Sequence, residues 1–349
     1  MREYTQSGGG KRRKPRRKPA ECDNIRVDVG GLPVASGHDS MIDSGGTLIA
    51  GRYEVVRPLG RGGIGKVFLV LDKQTGDEVA LKMLRTKYQR SDRALKRFER
   101  EVSATRQLDH PCIVKILDVY QDDELTFYTM EYVDGKTLRR WMKQRGKLDF
   151  GSVVRVLSLI AHGLEHAHTV TIHRDISPEN VMVMRDGSIR ILDFGLAKLD
   201  DVHSNLTMVG VSLGKIAYMS PEQRISATEV DHRADLYPLG VMFYEMLTGE
   251  LPKYSTTFSE LCPDLPDACQ DFLDKAMSED PDQRFQSAQE FRHALRELYE
   301  VYKDESAATL DDKPRPAKPK PTANIKTKQK RVSPMARLRE RILAWLKRH

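Results

Sequence analysis

Three oxygen-bearing side chains stand at a telling interval in the middle of the chain. Asp175 is followed five residues on by Asn180 and thirteen further by Asp193, within His173-Arg174-Asp175-Ile176-Ser177-Pro178-Glu179-Asn180 and Asp193-Phe194-Gly195. Short strand-like runs at 181–184 and 189–192 separate them, so the three donors return to one cleft. Mg2+ takes hard oxygen ligands and keeps several waters, so one carboxylate with one amide oxygen suits it. Upstream, Gly60-Arg61-Gly62-Gly63-Ile64-Gly65-Lys66-Val67 reads GxGxxGxV. Glycines there let backbone amides approach phosphates with no Cβ in the way. A lone motif of this kind also suits a flexible hairpin or a dinucleotide-binding turn. The dinucleotide turn requires a helix next, whereas a second β-rich run follows, which favours a hairpin covering a nucleotide. In Val79-Ala80-Leu81-Lys82, strand alternation sets Ala80 and Lys82 on one face. A small residue beside a lysine leaves room for a flat base and offers charge to its phosphates. Glu101, at the edge of the inward stripe of a downstream helix, is within reach of Lys82 as a partner; otherwise it is an exposed helix carboxylate.

The elements that must position these residues are strands first and helices second. Residues 52–60, 66–72, 79–83 and 125–133 are β-rich, with one intervening helical pattern at 92–108. Helical spacing then dominates: 137–144, 150–168, 239–247, 268–277 and 288–301. Ser287 with Glu290 has capping-box spacing ahead of the last. This order predicts an α+β protein of two unequal lobes.

With 349 residues, 39% hydrophobic and 31% charged, the chain has the mass to bury a real core. No apolar run approaches the ~20 residues that cross a bilayer, and the first residues lack the apolar stretch of a secretory signal. Cys22, Cys112, Cys262 and Cys269 form no CxxC, which argues against a zinc site or a disulfide framework and for a reducing cytoplasm. The net charge of +7 is unevenly placed: residues 1–20 carry +7 and residues 313–349 carry +12, leaving −12 on residues 21–312. Basic blocks such as Lys11–Lys18 and the Lys/Pro-rich stretch from Lys313 repel themselves and read as disordered tails. Such tails are solvated extensions, or they attract a polyanion: nucleic acid, an acidic protein or an anionic membrane surface holding the protein peripherally. Residues 335–349 put Met335, Leu338, Ile342 and Trp345 on one helical face, the pattern of an interfacial or partner-binding amphipathic helix.

These ordered motifs resemble the protein kinase superfamily, most closely the eukaryotic-like Ser/Thr kinases of bacteria. The resemblance covers about residues 51–298 and takes in Met130-Glu131-Tyr132-Val133 as gatekeeper and hinge, Ser220-Pro221-Glu222, Asp235-Leu236-Tyr237 with Gly240, and Arg284. It implies a bilobal kinase fold, a small β-rich N-lobe over about 51–133 and a larger helical C-lobe over about 134–298. A basic N-terminal tail would occupy 1–50, and a basic tail ending in an amphipathic helix 303–349. It implies ATP and Mg2+ as cofactors and protein serine and threonine hydroxyls as acceptors. Lys82 would hold the α- and β-phosphates and pair with Glu101; Asn180 and Asp193 would bind Mg2+; Asp175 would orient the acceptor hydroxyl and take its proton. Gly60, Gly62 and Gly65 would cover the phosphates. The backbone of Glu131 and Val133 would bond adenine beneath Val67 and Ala80, beside Met130, with Asp134 toward the ribose. Arg284 would pair with Glu222, and His173 and Phe194 would join the column between lobes.

Two departures stand out. The family's lysine two residues after the catalytic aspartate is Ser177 here, and the threonine expected before Ser220-Pro221-Glu222 is Lys215. A lysine lost at one position and gained at its neighbour in space suggests an exchange, with Lys215 supplying the ammonium for the γ-phosphate; independent drift would instead leave Lys215 in solvent. Arg174 implies activation by loop phosphorylation, with autophosphorylation at Ser204, Thr207 or Ser212, Thr207 favoured. Pro238 belongs in a first helical turn. The other function classes left open are an ATP-binding pseudokinase scaffold, kept alive by Ser177, and a small-molecule phosphotransferase.

Overall fold

The computed structural model describes residues 46–62, 65–122, 125–194, 213–226, 230–253 and 257–311. The two tails beyond these limits, with the amphipathic pattern at 335–349, and Ser204, Thr207 and Ser212 lie outside the described residues.

The N-lobe is an antiparallel sheet in the order β1-β2-β3-β4-β6-β5, formed by β1 (Leu48–Ile49), β2 (Tyr53–Arg61), β3 (Gly65–Asp72), β4 (Glu78–Leu84), β5 (Ile116–Gln121) and β6 (Thr126–Glu131). Alternation along β4 decides its packing. Val79, Leu81 and Met83 pack with Tyr53, Phe68 and Phe127 on one face; Ala80 and Leu84 pack on the other with Phe98 and Val102. Phe98 and Val102 belong to α2 (Asp92–Arg106), which follows the single turn α1 (Thr86–Gln89). Ser91 caps α2 by accepting from the Ala94 amide. β5 was not foreseen; Leu117 and Tyr120 are exposed along with Gln121, so it lacks a clean alternation of apolar-in and polar-out residues. The strand foreseen at 125–133 stops at Glu131, where the chain passes into the hinge.

A small sheet, β7 (Gly135–Thr137), β8 (Val181–Met184) and β9 (Ile189–Ile191), opens the C-lobe. Its helices are α3 (Leu138–Arg145), α4 (Phe150–Ala167), α5 (Leu213–Ile216), α6 (Pro221–Ile225), α7 (Tyr237–Thr248), α8 (Phe258–Leu261), α9 (Ala268–Ala276) and α10 (Ala288–Asp311). Asp149 caps α4 through the Ser152 amide at 2.9 Å, and the inward residues of α4 meet α7 and α10 in the main core. All but the first residue of α7 are buried, which makes it the lobe's central helix. Pro238 sits in its first turn, as expected. A Cβ at Gly240 would fall 2.7 Å from Met277 and 2.9 Å from Ala276, so glycine lets α7 approach α9 closely. Ser287 caps α10, accepting from the Glu290 amide at 3.0 Å. That helix runs ten residues past the expected end at 301, and β1 begins before residue 51, so ordered elements extend beyond both limits of 51–298. Of the added residues Tyr302 packs on Phe150, but charged and small residues follow it and no apolar period is sustained.

Candidate active site

The loop that carries Asp175 is built around a buried aspartate. Asp235 accepts from the backbone amides of His173 at 2.8 Å and Arg174 at 2.6 Å, and meets His168 Nε2 at 2.9 Å. Burial alone would raise its pKa; His168, His173 and the amide of Arg174 outweigh that and hold it below the usual carboxylate range. The bonds clamp Arg174 at φ 66°, a left-handed conformation that a non-glycine residue adopts only under constraint. Gln223 Nε2 adds a bond to the Arg174 carbonyl at 3.0 Å. Asp175 emerges from this turn.

Asn180 Nδ2 donates to the Asp175 backbone carbonyl and to Asp175 Oδ2, both at 2.7 Å. With its nitrogen committed, the amide presents its oxygen as the free end. Lys215, at the end of α5, places Nζ 2.8 Å from the same Asp175 Oδ2. Ser177 is buried, and its Oγ finds no hydrogen-bond partner among the described residues.

The second half of the site hangs on the first: the Leu192 amide donates to the Asn180 carbonyl at 2.8 Å. The next residue, Asp193, also has a left-handed backbone, φ 59°. Its Oδ1 lies 2.6 Å from Lys82 Nζ and 3.2 Å from the Tyr128 hydroxyl. Burial raises the Asp193 carboxyl, but the adjacent ammonium and these two hydrogen bonds prevail, so the group stays lowered. Lys82 is 6% exposed. This ammonium is bound to Asp193; the expected pairing with Glu101 falls on a side chain that lies outside the described residues. The His173 and Phe194 rings pack at 4.5 Å in a tilted contact, and His173 Nε2 meets the Leu192 carbonyl at 2.7 Å.

Above this pair, β2 and β3 form the foreseen glycine hairpin, with Gly60 opposite Val67 and Gly62 donating to the Gly65 carbonyl at 2.9 Å. A Cβ on Gly65 would sit 2.2 Å from the Met83 carbonyl oxygen, so no other residue fits without moving a strand. Val67, Ala80, Met130, Val133 and Leu192 share one apolar cluster. Glu131 turns its side chain to Arg190 at 2.8 Å, and exposed Asp134 lies 3.9 Å from Arg185. Below the loop, Arg139 joins Glu179 at 2.8 Å to Glu245 at 2.5 Å, and Tyr218 bonds Glu245. Arg284, fully buried, pairs bidentately with Glu222 at 2.7 Å for both bonds, as expected.

The donors fit a magnesium ion chemically: Asp193 keeps Oδ2 and Asn180 its amide oxygen, one carboxylate and one carbonyl, both hard. Sequence reasoning missed Tyr128, Leu192 and Arg139. Tyr128 was within reach of it, because two residues before Met130 on one strand means the same face.

The profile of the protein kinase domain family matches residues 53–296. A probable serine/threonine-protein kinase of Clostridium perfringens is 32% identical over 275 residues, 74% of this chain and 39% of that protein. Serine/threonine-protein kinase PrkC of Bacillus subtilis is 30% identical over 272 residues, 73% of this chain and 42% of that one. The chain therefore spans about two fifths of the length of these curated relatives. Among solved structures, the PknI kinase domain of Mycobacterium tuberculosis aligns with a TM-score of 0.60 at 30% identity, over 73% of this chain and 98% of that domain.

Proposed function

The chain belongs to the protein kinase family, in the eukaryotic-like group of those bacterial relatives, and we propose that it transfers the γ-phosphate of ATP to serine and threonine hydroxyls of proteins. The observation that carries this reading is the hydrogen-bonded continuity of Lys215, Asp175 and Asn180 with Leu192, Asp193 and Lys82 beneath the glycine hairpin. Asp175 orients the acceptor hydroxyl and takes its proton. Lys82 holds the α- and β-phosphates, with Glu101 as its helix partner. Asn180 and Asp193 hold magnesium, which supplies charge neutralisation of the phosphates when bound. Gly60, Gly62 and Gly65 let amides approach the phosphates. Val67, Ala80, Met130 and the Glu131 and Val133 backbone receive adenine, with Asp134 toward the ribose. Little bond-making falls to the protein, so positioning and charge do most of the work.

Lys215 takes over the γ-phosphate contact of the lysine replaced by Ser177. Its ammonium is already 2.8 Å from the acceptor-orienting carboxylate. Ser204, Thr207 or Ser212 accepts phosphate in autophosphorylation and thereby raises activity. The basic tails, 1–50 and 303–349, hold the catalytic domain near an anionic membrane surface; nucleic acid or an acidic protein is the competing target. Among the described residues no helix is long and apolar enough to cross a membrane.

The test is phosphate incorporation from Mg-ATP, wild type against Asp175→Asn, with the modified residues mapped. Loss of a positioned base lowers the rate by about 10²–10⁴-fold. Equal incorporation would defeat the proposal, and nucleotide binding without incorporation in wild type would indicate the pseudokinase. Alanine at all three loop hydroxyls lowers activity if the loop is the switch, and an unchanged rate removes that part. Vesicle co-sedimentation unaffected by deleting 334–349 would remove membrane anchoring by that helix.

A further inference from the structure

Tyr128 is opposite Lys82 in the β4–β6 register and is 2% exposed. Its ring lies 6.0 Å from that of Phe98 on α2, and Tyr128 lines a small cavity together with Val102, Thr105, Val114, Ile116, Asp193 and Phe194. Phenylalanine would fill the same volume. A buried hydroxyl is costly unless it bonds something, and this one meets Asp193 Oδ1 at 3.2 Å.

Both donors to Asp193, Lys82 and Tyr128, use the same oxygen. Oδ2 is thereby left as the oxygen for a ligand, and the carboxylate is fixed in rotation from behind. The two donors are not equivalent. Lys82 serves the phosphates when nucleotide is bound; Tyr128, its register partner on the same sheet face, has no such second duty.

We propose that Tyr128 is a positioning residue for the metal-holding carboxylate: its hydroxyl pins Asp193 Oδ1 so that Oδ2 stays aimed at magnesium while Lys82 engages the phosphates. This rests on the reading of Asp193 as a magnesium ligand. It acts through Asp193 and touches neither nucleotide nor acceptor.

The test uses the full chain and a non-hydrolysable ATP analogue, titrated by calorimetry with magnesium and again in chelator. Tyr128→Phe raises the magnesium concentration for half-saturation by about tenfold to a hundredfold, the loss of one hydrogen bond to a charged group. Affinity without metal stays at the wild-type value, because the packing of the ring is kept. In an Asp193→Asn background, Tyr128→Phe produces no further shift. An unchanged magnesium requirement in Tyr128→Phe would overturn the inference, as would an equal loss of metal-free affinity, which marks a packing role. If wild type and Asp193→Asn share one magnesium dependence, the premise itself fails; if Asp193→Asn loses that dependence and Tyr128→Phe matches wild type, only the inference fails.

Discussion

Replacing Lys215 by alanine separates two accounts of its ammonium by size of effect. The side chain is 37% exposed and Asp175 is 26% exposed, so their 2.8 Å pair is partly screened by water. An ion pair in that setting is worth about 1 kcal/mol or less. If Lys215 merely steadies Asp175, its loss slows transfer by at most about fivefold, since ~1.4 kcal/mol is a factor of ten. A cation facing charge that develops on the transferred group is worth much more: removing one such preorganised donor costs about 10²–10³-fold. We therefore expect Lys215→Ala to lower kcat by about a hundredfold or more while the affinity for ATP changes little. The assay is steady-state transfer to a generic protein substrate over a range of ATP. Ser177→Lys restores the lysine two residues after Asp175, so in the Lys215→Ala background it returns part of the lost rate. The cycle of single and double variants measures that coupling. A loss below about fivefold, or strictly additive effects of the two substitutions, would refute the exchange.

Three other consequences concern the scaffold. Gly65→Ala forces a methyl against the Met83 carbonyl, and the strand shift needed costs about 1–3 kcal/mol, read as a lower thermal midpoint and weaker ATP binding. Arg284→Leu leaves Glu222 without its bidentate partner and frees the carbonyls of Ser278 and Glu279; a destabilisation of about 3 kcal/mol is expected in chemical denaturation. His110 is pushed down to about 4 by burial and by the facing His162, His166, Arg190 and Arg292. The unfolded chain then takes up the proton first, so its contribution to stability is present above 6.5 and drains as pH falls toward about 4; His110→Gln flattens that part of the profile in unfolding experiments from pH 7 to 4.

The sequence by itself determined the elements and the chemical set. The hairpin with its glycines, the Ala80/Lys82 face, and the spacing of Asp175, Asn180 and Asp193 are local patterns, and strand and helix periods act over a few residues. The helices at 150–167 and 268–276 were legible for the same reason, because each buries a regular apolar stripe. β5 and the last turns of α10 were not, because their residues repeat no apolar period. Only the tertiary structure decided the partners. Lys215 meets Asp175 across 40 residues of chain, Tyr128 meets Asp193 across 65, and Asp235 clamps the Arg174 turn across 61. Each of these contacts depends on how separate elements dock, and docking is set by the summed packing of two lobes rather than by the spacing of neighbours. For that reason the motifs named the groups able to act, while the fold chose which oxygen each ammonium and hydroxyl would hold.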